Sequence, residues 1–264
     1  MNTTINWPLK YNILHVNVSA TDYNSASDTI IKAAAEHISA CVDHMPVHGL
    51  ITAATEKLFG NAISKFDMVC PDGQPVRWGL NLLYHLKLAD RVYGPDLMLL
   101  LCKAASEKGI SIYLYGSTEL VLNRLVKSLQ IKFPSLIIAG FESPPFRKLS
   151  GDEDDAVVKR INDSGAGILF IGLGCPKQEL WASEHKDKLK CVQMCVGAAF
   201  DFHAGTKKQA PSWMQKCGLE WLFRFEQEPL RLWKRYVITN SLFIIKFCWQ
   251  YSLNLFKKIK IQSF

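Results

Sequence analysis

Apolar residues along this chain come as short dense runs separated by stretches with helical spacing. Residues 13–18, 47–52, 66–70, 110–115, 136–139, 167–173 and 191–196 read as strands. Residues 25–41 read as a helix, with Ala26, Ile30, Ala33, Ala34 and Ile38 near one face. Further helices are expected over 75–84, 96–108, 118–132, 152–163 and 177–186, the second of them opened by Pro95-Asp96. Strands this apolar, alternating with helices, predict an α/β protein with a mostly parallel sheet covered by helices. Ligands bind such sheets where strand carboxyl ends meet helix N-termini. Here those places are Pro71-Asp72-Gly73, Tyr115-Gly116-Ser117, Gly172-Leu173-Gly174 and Gly197-Ala198.

After Gly205 the pattern changes. Residues 211–225 and 229–236 read as helices, and 237–256 is a 20-residue segment with few charges. Lys246, Gln250 and Asn254 interrupt it at i, i+4, i+8, with Lys257 and Lys258 continuing that stripe. Phe243, Phe247, Trp249, Leu253 and Phe256 lie off it. Three readings are open, a helix packed on the protein, one lying in a membrane interface and one crossing the bilayer, and the pattern describes the interfacial helix better than the others. The expected division is a core over 1–204 and a helical appendage over 205–264.

Charge sharpens that division. The formal charge is +7, yet 205–264 holds 11 Lys and Arg against three Glu, so the remainder is close to neutral. Four of the seven Trp also lie in the tail. A basic, aromatic-rich tail fits a polyanion, whether nucleic acid, an anionic lipid surface or a phosphorylated small molecule, with a solvated surface helix as the plain alternative. With 48% apolar and 21% charged residues, disordered and low-complexity classes are excluded. The eight Cys form no CxxC, which argues against a zinc ribbon or dithiol site, and reduced thiols are the default expectation. Residues 1–12 lack an apolar signal-peptide core.

Several clusters can carry chemistry. Asp72 follows a predicted strand and precedes a Gly that admits a ligand; it is either a general base or the cap of the helix near Pro75. Ile171-Gly-Leu-Gly-Cys-Pro-Lys-Gln-Glu179 is a Gly-rich turn entering a helix, where free amides suit a diphosphate. A dinucleotide fingerprint would need a third Gly where Lys177 stands, so NAD is disfavoured. Arg231, Lys234 and Arg235 share a helix face, and Arg224 comes from the helix before Pro229. Converging cations could neutralise a diphosphate leaving group or contact anionic lipid, and both uses are compatible. The acidic run 152–155 reads as a helix N-terminus, and Asp201 beside His203 as a structural pair. No metal-ligand motif is present, so no metal and no other cofactor are expected.

Together these segments resemble the WecG/TagA/CpsF family, glycosyltransferase family 26. The matching stretches are Pro71-Asp-Gly-Gln-Pro, Arg91-Val-Tyr-Gly-Pro-Asp-Leu97, Gly172-Leu-Gly-Cys-Pro-Lys-Gln-Glu179, Val196-Gly-Ala-Ala-Phe-Asp201, Ala210-Pro-Ser-Trp, Gly218-Leu-Glu-Trp-Leu-Phe-Arg224 and Glu228-Pro-Leu-Arg231. They run in family order across about residues 45–236. The resemblance implies a Rossmann-like core with a C-terminal membrane-associating appendage. It implies an inverting enzyme that moves a sugar from a UDP-sugar to a polyprenyl-diphosphate-linked saccharide at the cytoplasmic face of a bacterial inner membrane. It makes Asp72 the catalytic base and puts Thr52 in its pocket. Gln178 falls at the donor site. From the turns and motifs at the strand ends, Gly116, Gly172, Gly174, Lys177 and Asp201 are further substrate-binding candidates. Arg224 and Arg231 close on the diphosphate, and Lys234 with Arg235 takes the place of a third arginine. Where the family has Thr-x-Asn this chain has Thr52-Ala53-Ala54, and Arg-Ala-Pro becomes Gln209-Ala210-Pro211. The wording PDGQPVRW and RVYGPDLM is closer to an exopolysaccharide branch than to the teichoic-acid one. Expected partners are the donor, the lipid-linked acceptor and an anionic membrane surface, without nucleic acid; a homo-oligomer is left open. The competing classes are a nucleotide-dependent oxidoreductase and a non-catalytic membrane-surface adaptor.

Overall fold

A computed structural model describes residues 4–262, with side chains described except at 231, 235 and 256–262. The chain opens with a hairpin, β1 (Lys10–Ile13) and β2 (Val16–Ser19), then α1 (Tyr23–Ala35), β3 (Ala40–Met45), α2 (Val47–Thr55), α3 (Lys57–Ser64), β4 (Met68–Pro71) and α4 (Gln74–Tyr84). Next come α5 (Gly94–Lys108), β5 (Ile112–Gly116), α6 (Glu119–Lys132), β6 (Ile138–Glu142), α7 (Gly151–Asp163), β7 (Ile168–Gly172), α8 (Lys177–His185) and β8 (Val192–Cys195). The remainder is helical: α9 (Ala199–His203), α10 (Ser212–Lys216), α11 (Glu220–Gln227) and α12 (Pro229–Gln262).

Six strands form one parallel sheet in the order β4-β3-β8-β7-β5-β6. Alternate side chains feed two cores. Val42, Leu114 and Phe170 pack with α1, α5 and α6 on one face. Cys41, Tyr113, Tyr115, Leu169 and Ile171 pack with α2, α3, α7 and α8 on the other. The α/β expectation with a parallel sheet therefore holds. The acidic run opens α7 through a capping box between Ser150 and Glu153.

Several expected elements differ. Residues 47–52 are helix, not strand; the strand lies one step earlier, disguised by Asp43 and His44 inside an otherwise apolar run. Pro46 starts α2, and Leu50, Ile51 and Ala53 form its buried side. The 25–41 helix stops at Ala35, where His37 turns left-handed (φ 49°), and Cys41 belongs to β3. The 13–18 strand is a hairpin turned at Leu14 and His15, both at positive φ, with Asn12 accepting from the His15 amide at 3.1 Å. Gly218 (φ 73°) divides 211–225 into α10 and α11. The two helices expected after Pro229 are one.

The docking of α12 also corrects the expectation for its faces. Phe243 is buried and Phe247 packs over Gly79 of α4, so neither is free to enter lipid. Gln250 turns inward as well: its carbonyl oxygen accepts from the Leu14 amide at 2.9 Å, and its own amide donates to the Asn12 carbonyl at 3.1 Å. Outward lie Ile244, Ile245, Trp249 and Leu253, with Lys246. No helix among the described residues is long and apolar enough to cross a membrane.

Candidate active site at the carboxyl edge of the sheet

Parallel β3 and β4 end in register, Met45 opposite Pro71, so the two following turns meet. The Asp72 amide donates to the Met45 carbonyl at 3.3 Å. Gly73, not Asp72, is the N-cap of α4, and no side chain caps that helix. This removes the capping alternative and leaves the Asp72 carboxyl for other work. Its side chain is only 16% exposed. Burial pushes its pKa from 3.8 to about 7, Glu220 adding to the rise while Arg91 and Arg224 oppose it. A carboxyl poised there can accept a proton near neutral pH.

Arg91 runs alongside. Its Nη1 donates to the Asp72 carbonyl at 3.2 Å and lies 3.8 Å from Asp72 Oδ1. Its Nη2 donates to Glu220 Oε2 at 2.7 Å and to Gln215 Oε1 at 3.1 Å. Glu220 Oε1 accepts from the Tyr93 hydroxyl at 3.1 Å and lies 3.0 Å from Arg224 Nη2. Arg91 also stacks on Tyr93, 4.1 Å from the ring centroid, and Arg224 lies 5.4 Å over Phe202. Thus Arg224, predicted from sequence, is tied through Glu220 to Arg91 beside the Asp72 turn, and sequence reasoning gave Arg91, Tyr93 and Glu220 no role. The signal was present, since Arg91 and Glu220 both stand in motifs quoted above.

A second group lies at the ends of β5, β7 and β8. Gly116 (φ 123°) sits so close to Gly172 that a Cβ would stand 2.6 Å from its carbonyl carbon. Gly172 faces Phe200, and Gly174 turns at φ 79°. Gln178 closes this turn: its Oε1 accepts from the Gly174 amide at 3.2 Å, and its Nε2 donates to Glu179 Oε1 at 2.9 Å. Burial holds Glu179 at about 7 and raises Asp43 of β3 well above the usual carboxylate range; the neighbouring Glu179 adds to the rise of Asp43, while the hydrogen bond between the two works to lower Glu179. His44 is held down at about 4 by burial. Its Nδ1 donates to the Cys195 carbonyl at 3.0 Å, which fixes the neutral tautomer. Lys177 is exposed on the first turn of α8.

Thr52 is buried in α2, its hydroxyl donating to the His48 carbonyl at 2.9 Å. Asp201 is not paired with His203: Oδ1 accepts from the Thr206 hydroxyl at 3.1 Å, while His203 Nε2 donates to the Pro95 carbonyl at 2.9 Å. The two point apart because they stand two residues apart on α9, about 200° around the helix. Lys234 is exposed, 5.6 Å from the Trp233 ring centroid. The Arg231 and Arg235 side chains fall outside those described.

A buried carboxyl, two guanidiniums and glycine turns along one edge of a parallel sheet suit transfer from an activated, phosphorylated donor. Residues 11–257 match the family described as "Glycosyl transferase WecG/TagA/CpsF family". The chain belongs to that family and is a glycosyltransferase. It is 29% identical over 184 residues to a protein of Bacillus subtilis (strain 168) named N-acetylglucosaminyldiphosphoundecaprenol N-acetyl-beta-D-mannosaminyltransferase, covering 69% of each chain. It is 32% identical over 186 residues to proteins of the same name from Staphylococcus aureus strains MW2 and NCTC 8325, covering 69% of this chain and 68% of theirs. Membership of this family sets aside the oxidoreductase and adaptor readings.

Proposed function

We propose that this glycosyltransferase moves N-acetylmannosamine from its UDP-linked form to N-acetylglucosaminyl-diphospho-undecaprenol, with inversion at the anomeric carbon, in synthesis of a cell-surface polymer. The sugar and acceptor follow the names of the relatives. An exopolysaccharide product rests on the PDGQPVRW wording alone.

The observation that carries the mechanism is Asp72, a buried carboxyl of pKa about 7 facing Arg91 and Arg224. Asp72 takes the proton of the acceptor hydroxyl as its oxygen attacks the anomeric carbon. The bond from that carbon to the diphosphate oxygen breaks, and UDP leaves with the electron pair. The two guanidiniums would meet the growing negative charge, and the Gly172–Gly174 turn, braced by Gln178, would shape the donor side of the pocket. Thr52, Gly116, Lys177 and Asp201 are proposed to shape the donor pocket, and Arg231, Lys234 and Arg235 to add positive charge from α12.

The tail is proposed as an appendage that seats the enzyme peripherally on the cytoplasmic face of the membrane. Exposed Ile244, Ile245, Trp249 and Leu253 beside Lys246 support this. The side chains of Phe256, Lys257 and Lys258, expected to join in, fall outside those described.

The test is Asp72→Asn, assayed by transfer and by UDP-sugar binding. Binding should persist while turnover falls by about 10²–10⁴, the usual worth of a general base. Near-normal turnover would remove Asp72 from the mechanism.

A further inference from the structure

Glu220 comes from α11, 129 residues beyond Arg91, yet its carboxylate is the common partner of the Asp72 surroundings. Oε2 takes Arg91 at 2.7 Å, and Oε1 takes Tyr93 at 3.1 Å and Arg224 at 3.0 Å. The side chain is 11% exposed. A carboxylate this buried is costly to desolvate, and an apolar substitute for such clusters is often no less stable. Stability alone therefore gives little reason for it.

We propose that Glu220 is a positioning residue of the transfer reaction: it holds Arg91 beside Asp72 and Arg224 across from it, and keeps both guanidiniums from closing on the Asp72 carboxylate before a donor diphosphate takes them. The proposal rests on reading Asp72 as the base and the donor as a nucleoside-diphosphate sugar. The distances carry it. The close ion pair of Arg91 goes to Glu220 at 2.7 Å, while Asp72 Oδ1 stays 3.8 Å away. Without the Glu220 charge, Asp72 is the carboxylate left nearest to Arg91. It would then draw that guanidinium into full contact and become a weaker base. A donor diphosphate, carrying more charge than one carboxylate, can compete for the same two cations with its own oxygens.

The other titratable groups around Asp72 are Tyr23 of α1, Asp43 of β3, Cys70 of β4 and Tyr93; Asp96 of α5 lies further out, near Arg91 and Glu220. None of them is altered in Glu220→Gln. With UDP-N-acetylmannosamine as donor and a polyprenyl-diphospho-N-acetylglucosamine as acceptor, kcat/KM is measured from pH 5 to 9. In Glu220→Gln the acid limb should move down by about one pH unit, and the plateau should fall. A lower rate at every pH with the limb unmoved would mark Glu220 as merely structural and overturn the proposal. Glu220→Asp keeps the charge but is one methylene too short to bridge both arginines. It should restore the wild-type limb and raise the KM for the donor. A limb shifted as in the Gln variant, or a wild-type donor KM, overturns the proposal. If the Gln variant does not fold, the Asp variant decides by the same two readouts. Asp72→Asn run alongside separates the two failures: full turnover there removes the base itself, whereas loss there with an unmoved Glu220→Gln limb removes only Glu220.

Discussion

The raised pKa of Asp72 makes a prediction about folding that is independent of any substrate. A carboxyl at about 7 in the folded chain and 3.8 unfolded keeps its proton on folding between those values. In that window the folded state binds the extra proton, so stability falls as pH rises. The contribution is fully present below about pH 4 and is lost once pH passes about 7. The full span of about three pH units corresponds to an upper bound of about 4 kcal/mol, at 1.36 kcal/mol per unit. Asp72→Asn removes this titration and leaves the shape. Urea unfolding of both proteins at pH 5 and pH 8 isolates it: Glu179 titrates in both and cancels in the difference, and Asp43 cancels apart from the part of its rise that comes from Asp72. The stability of Asp72→Asn relative to wild type should rise by about 2–3 kcal/mol between pH 5 and pH 8. The variant should also be the more stable protein at pH 8, where wild type buries a charge. A difference that is the same at both pH values would refute the burial argument and with it the poised base.

Gly116→Ala should cost well over 1 kcal/mol and lower the affinity for UDP, since its Cβ would meet the Gly172 carbonyl carbon at 2.6 Å from a positive φ; thermal unfolding with and without UDP checks both. Phe247→Ala should lower the urea midpoint by about 2 kcal/mol, the loss of a half-buried ring from its seat on Gly79. Ile245→Glu with Trp249→Glu should release the protein from anionic vesicles in a sedimentation assay and leave the melting temperature near wild type, both side chains being more than 60% exposed; retention on vesicles would count against the outward face of α12 as the anchor. Excess EDTA should leave transfer intact, because the charge on the leaving group is met by Arg91 and Arg224; loss restored by Mg²⁺ would refute this.

How far the sequence reveals this site depends on the range of the physical signal. Strands β5, β7 and β8 and helices α5, α6 and α7 follow local rules, such as apolar runs, Thr118 and Ser150 as caps, and Gly109 as a left-handed stop. Strand β3 does not. Its interior carries Asp43 and His44, buried polar residues that break the apolar pattern because they stand near the site. Helix α2 misleads for the opposite reason: Val47, Ile51 and Thr52 have strand propensity, but burial of Leu50, Ile51 and Ala53 overrides it.

The arginines show the same division at longer range. Arg224 is legible as a cation in a basic tail, yet nothing in the local pattern says that Glu220, one turn earlier, bridges it to Arg91. That link spans 129 residues and exists only once Pro71 ends beside Met45 and the tail has folded back over the turn. Its effect is also non-local. The residue whose basicity matters is Asp72, while the charge that sets how tightly Arg91 can hold it sits in the appendage. The sheet edge and the C-terminal helices are therefore coupled through charge as well as packing, and if α12 seats on a membrane as proposed, a change in how it sits would reach Asp72 through Glu220.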